Sequence, residues 1–321
     1  MFVDILAQFA AETRNPHVTA VHDRLQAPLR VAVAGRPGVG RDTVAAALAA
    51  AGLSVGTIGA GVRVVVAAES LKPEERSALT EPGAPALVVL NKADLAGADP
   101  GGPLAVADRR AAGWAASFGV PVVPMIAHLA TVELDAEDLA ALRVLLASPA
   151  DLTSTDAFVG SAHPLLARTR SRLLHRLDRF GLAHALMAVA DGAALPDIVG
   201  RLRGLSRVHA VLDAVAAAAA PERYHRIRDA VRDLHVVAAR CPDPRLPDFL
   251  VSDAVAVAVM AAAAEVVRAA GGRVETADDP DALLAAARHW QRFARGPVTG
   301  THRRCALDIA RGSLRLLNRS R

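Results

Sequence analysis

The chain has 321 residues, 52% hydrophobic and 22% charged, with a formal net charge of +4. That balance describes a core-forming globular chain of one or two domains and excludes a disordered one. Aromatic residues are only 3%, so Ala, Val and Leu must build the core, and an aromatic platform for single-stranded nucleic acid is excluded.

Two cysteines, Cys241 and Cys305, make neither a disulfide framework nor a metal-ligand spacing, and read as reduced thiols of a cytoplasmic protein. The opening residues carry Asp4 where a secretory leader needs a base. The longest uncharged apolar run of the second half, from Ala254 to Ala264, is 11 residues, against about 20 for a membrane span. Charge is unevenly placed: residues 1–150 hold 12 basic and 15 acidic side chains, and the remainder 25 and 18. Only Lys72 and Lys92 are lysines among 37 basic residues, so a lysine at a particular position carries weight.

In chain order, Phe2, Ile5, Leu6 and Phe9 predict an amphipathic helix, continued by Val18, Val21 and Leu25 after a break at Asn15-Pro16. Residues 1–28 are expected to pack on the C-terminal domain. Residues 29–150 alternate apolar runs with helical stretches: strands at 29–34, 62–68, 86–90 and 120–125, helices at 43–51, 74–79, 104–118 and 136–147. Such alternation gives an α/β domain with a parallel sheet. A cap-rich linker follows at 148–156. Beyond it only helices are predicted, near 164–180, 182–190, 195–217, 221–240, 247–270, 280–294 and 301–318, forming an all-helical domain over 155–321.

The stretch Gly35-Arg-Pro-Gly-Val-Gly40-Arg-Asp-Thr43 sits between a predicted strand and a predicted helix, the context of a phosphate-binding loop. Gly35, Gly38 and Gly40 leave backbone N–H groups free to face an anion. Where such a loop has Lys and then Ser or Thr, this chain has Arg41 and Asp42. Guanidinium is wide and forked where the ammonium is a slim point charge. A carboxylate beside phosphate oxygens repels them, and Thr43 points about 100° further round the helix.

A buried-strand pattern ending at Leu90 then leads into Asn91-Lys92-Ala93-Asp94. With the upstream loop, this resembles the Era-like, translation-factor-related branch of P-loop GTPases over residues 29–148. The resemblance implies that Asp94 accepts from the guanine N1–H and amine, that Lys92 lays its stem along the base, and that Asn91 braces the phosphate loop. It also implies that the Ala127 backbone N–H, after Pro124-Met-Ile, faces the guanine oxygen. An ionised carboxylate is acceptor-only, which suits the first role.

Only 18 residues separate Thr43 from Val62. They leave no room for a switch threonine loop, two strands and an Asp-x-x-Gly motif, on which hydrolysis in this family depends. The chain therefore reads as a P-loop GTPase-like sheet with its switch regions missing. Its function reads as a pseudo-GTPase: a non-hydrolysing regulatory protein with weak GTP or GDP binding, no magnesium site, and a protein partner such as an active GTPase. Helices on both sides of the sheet resemble bacterial dynamin-like proteins in architecture. The alternatives are an active GTP hydrolase with a non-standard magnesium site, or a peripheral membrane adaptor using the basic segments 165–179 and 303–321. No nucleic-acid-binding module accompanies that charge.

Overall fold

The computed structural model describes residues 1–241, 243–275 and 279–319; Arg321, at the end of the basic C-terminal segment, lies outside them. The chain forms two compact units, one of Arg30–Val215, the other of Met1–Leu29 with Ala216–Arg321. Two helices precede the sheet, α1 (Phe2–Thr13) and α2 (Pro16–Gln26).

The α/β unit has five strands: β1 (Arg30–Ala34), β2 (Ser54–Val55), β3 (Val62–Ala67), β4 (Ala86–Leu90) and β5 (Val122–Pro124). All pair in parallel, in the order β2-β1-β3-β4-β5. Val64, Val65 and Val66 of β3 and Leu87, Val88 and Val89 of β4 are fully buried, each stabilising the fold by about 1.5–3 kcal/mol. The chain leaves β1 for β2 on one side and later takes β3 on the other. In such sheets the crevice beyond the strand C-termini at that reversal is where ligands bind.

The connection from β2 to β3 is shorter than the dozen or more residues of an ordinary parallel crossover. It has no helix; Gly56 N–H donates to the Val31 carbonyl at 3.0 Å and Gly61 N–H to the Arg30 carbonyl at 2.9 Å. β2 itself was not expected from the sequence.

Between and after the strands lie α3 (Arg41–Ala50), α4 (Pro73–Thr80), α5 (Gly102–Phe118), α6 (Ala127–Ala130), α7 (Ala136–Ala147), α8 (Thr155–Gly160), α9 (Ala167–Ala190) and α10 (Leu195–Ser206). The last three belong to the sheet unit. Phe158, Leu173, Leu177, Leu182, Ile198 and Leu202 share one core with Leu142 and Leu145 of α7. The unit boundary thus falls at Val215, beyond the 148–156 linker and inside α11 (Val208–Arg240).

The basic face of α9 is consumed locally. Buried Arg170 donates to the Ser161 carbonyl at 2.7 Å and to Ser161 Oγ at 2.9 Å. Arg172 pairs with Glu137 at 2.9 Å and Arg176 with Asp135 at 3.0 Å. Both also reach Asp138, which is wholly buried in the capping box of α7. Arg172 and Arg176 therefore bind α9 to α7.

The other unit is built of helices: α1, α2 and the later part of α11, with α12 (Arg245–Val251), α13 (Asp253–Ala269), α14 (Pro280–Arg295) and α15 (Gly300–Arg319). Phe2, Leu6, Val18 and Val21 pack with Leu234, Leu246 and Val255. Cys305, Ala306 and Ile309 pack with Tyr224, Ala263 and Trp290. Burial pushes the Cys305 thiol up to about 11, which keeps it protonated and inert. Among the described residues no single helix is long and apolar enough to cross a membrane; α12 and α13 pass together only as a pair bent by 43°.

Contact between α13 and α15 is close because residue 312 has no side chain: a Cβ on Gly312 would meet Met260 Cβ at 2.5 Å. Gly312→Ala is expected to cost about 1–3 kcal/mol through overpacking. A melting curve unchanged from wild type would refute that reading of the contact.

Candidate functional site

β1 delivers the chain to Gly35, and the glycine-rich loop turns through Gly38 and Gly40 into α3. Arg41, Asp42 and Thr43 form the exposed first turn of that helix. Arg41 Nε and Asp42 Oδ1 bond to each other at 2.9 Å, and this contact holds the Asp42 carboxyl below its ordinary range.

Asn91, buried at the end of β4, ties three segments together. Its Nδ2 donates to the Val39 carbonyl at 2.9 Å. Its Oδ1 accepts from the Ala127 N–H at 3.1 Å. Gly40 lies against the same amide: a Cβ there would collide with Asn91 Nδ2, and φ is +84°, a region costly for other residues. The Ala127 N–H, which the resemblance assigns to a guanine oxygen, here donates to Asn91 Oδ1.

These segments surround a cavity of about 270 Å³ lined by Gly40, Thr43, Asn91, Lys92, Asp94 and Ala127. Lys92 is exposed with a left-handed backbone, φ 58°, strain of a kind that gathers at ligand sites. Burial pushes the Asp94 carboxyl up, and the negative charge of Asp178 adds to the shift. An adjoining cavity of about 270 Å³ shares Lys92 and holds Arg36 and Arg110 opposite Glu69. Arg36 is anchored there by a 3.0 Å bond to buried Glu75, which also caps α4.

Sequence reasoning missed the contribution of α9. Leu177, Asp178, Phe180 and Gly181 also line the Asp94 cavity. Asp178 interrupts the helix with φ 54° and ψ 179°. Gly181 lets the helix close in, since a Cβ there would stand 2.9 Å from Leu129 Cδ2. Gly181, which falls between the helices predicted near 164–180 and 182–190, was the available signal.

Asp42 is turned onto Arg41, and among the described residues no group of three or more His, Cys, Asp or Glu side chains is placed to hold a metal ion. Compared with protein-family models, curated proteins and solved structures, the chain matches none.

Proposed function

We propose that the chain is a pseudo-GTPase: a regulatory, protein-binding module that keeps a guanine-nucleotide pocket without hydrolysing what it binds. It uses a P-loop GTPase-like sheet shortened at the switch regions and joined to an all-helical domain. The observation that carries this reading is the pair of hydrogen bonds by which Asn91 donates to the Val39 carbonyl and accepts from the Ala127 N–H. It draws the glycine-rich loop, the Asn-Lys-x-Asp segment and the loop after β5 around one cavity.

Within it, Asp94 supplies the acceptors that guanine's N1–H and amine require, and Lys92 supplies an alkyl stem and a charge. With the Ala127 amide taken, His128, which lines the same cavity, is left to face the base oxygen. The absence of turnover follows from residues 52–61, whose only secondary structure is the two-residue β2. That stretch contains no acidic residue to hold a metal. The partner expected of such a module is a protein, an active GTPase among the first to test.

Calorimetry with GDP, GTP and ATP tests the assignment. Guanine nucleotides are expected to bind at least about tenfold tighter than ATP. The preference should fade on acidification, beginning at a higher pH than an ordinary aspartate would set, because burial raises Asp94 and only its ionised form accepts both hydrogens. Equal affinities, or a preference for ATP, would overturn it.

A further inference from the structure

The helical unit holds a cavity of about 320 Å³ between α11, the α12–α13 junction and α15. Its size is that of a small-molecule site. Three helices each contribute one stripe: Arg228, Val231, Arg232 and His235 from α11; Val255 and Val259 from α13, with Ser252 at its N-cap; Asp308, Arg311 and Arg315 from α15. Those spacings of three, four and seven residues place each set on one helix face, so the convergence comes from three elements.

The lining combines two kinds of chemistry. Val231, Leu250, Val255 and Val259 give an apolar floor, while four arginines and one aspartate stand around it. Arg228 is neutralised by Asp308 at 2.7 Å, and Arg315 reaches Asp253 at 3.4 Å. Arg232 pairs only with Asp229, across solvent on its own helix, a contact of small worth. Arg311 has no hydrogen-bond or ion-pair partner among the described residues. The site therefore carries uncompensated positive charge over an apolar surface.

We infer that this cavity binds an amphipathic anion, a short acyl or aryl chain ending in a carboxylate or phosphate. The tail lies along Val231, Val255 and Val259, and the head meets Arg311 and Arg232. Arginine is suited to either head because its fork matches both geometries. The inference stands apart from the nucleotide reading, which concerns residues of the other unit.

The test is calorimetry on the full chain with decanoate and decyl phosphate below their micellar concentrations, beside decanol and decylamine. At least one anion should bind, with decanol about tenfold or more weaker and decylamine weaker still. Arg311→Gln should weaken the anion about tenfold, a loss of roughly 1.4 kcal/mol, and Arg311→Lys should restore most of it. Because Arg311 is exposed, both variants should melt as wild type does. Ala256→Leu, which fills the cavity, should remove binding of decanoate and decanol together. Equal affinity for decanoate and decanol would overturn the inference, as would no binding of either anion, or an Arg311→Gln variant that binds like wild type. Flotation with phosphatidylglycerol vesicles in the absence of any decanoate binding would also overturn it, assigning the charge to a membrane surface.

Discussion

Changing Arg41 to Lys together with Asp42 to Ser is expected to tighten GDP and GTP binding by at least about tenfold. In the wild type, the first turn of α3 carries a guanidinium bonded to a carboxylate at 2.9 Å. The Arg41 charge is thus paired with a carboxylate, and that carboxylate repels any phosphate that approaches the loop. The double change removes the repelling group and frees the remaining cation. Turnover is not expected to follow, because residues 52–61 are untouched. Steady-state phosphate release separates the two claims. Magnesium-dependent hydrolysis by the wild type would end the pseudo-GTPase reading, and hydrolysis by the double variant alone would reveal a metal site within 52–61. Unchanged affinity would show that the loop does not meet phosphate at all.

Asn91→Ala should have the largest effect on the fold of the site. It strands the Val39 carbonyl and the Ala127 N–H, both bonded to Asn91 in a buried setting. Each of the two orphaned groups costs about 1–3 kcal/mol, so the sheet unit should lose roughly 2–6 kcal/mol. Its melting temperature should fall by about 2–4 °C for each kcal/mol. Asn91→Asp separates bracing from bulk. It keeps an acceptor for Ala127 but replaces the donor to Val39 with an oxygen, so it should loosen the glycine-rich loop and spare the Ala127 turn. Hydrogen exchange at Val39–Gly40 and at Ala127–His128 reads the two ends independently. A variant of either kind that keeps wild-type exchange at both would refute the bracing role.

Legibility in the sequence followed burial. β3 and β4 could be placed because Val64–Val66 and Leu87–Val89 are buried on both faces and so read as unbroken apolar runs. β2 could not, since two residues in a glycine-rich stretch have no period. The expected single helix near 247–270 breaks at Ser252, whose side chain caps α13 by accepting from Val255 N–H, a cap signal that the surrounding apolar residues masked. Conversely, Pro221 suggested a break that α11 does not make. The ring removes only the donor to the Ala217 carbonyl, and the helix runs on through it. At the site, Asn91, Lys92 and Asp94 were legible because they are contiguous. The share of α9 was not, because nothing local announces that residues 177–181 return to a cavity whose other lining lies some 50–140 residues earlier.

The helical unit is discontinuous in sequence, and this has a consequence during synthesis. Phe2, Leu6, Phe9, Val18 and Val21 find their core partners only at Ala230–Ala258, whereas the sheet unit is a single uninterrupted stretch, Arg30–Val215. At about 5–20 residues per second, the first two helices leave the ribosome roughly 10–45 s before the residues that cover them. For that interval their apolar faces are a ready target for a holding chaperone, while the intervening sheet is free to fold by itself. The order of assembly is thus written into the chain: the middle first, then the two ends together.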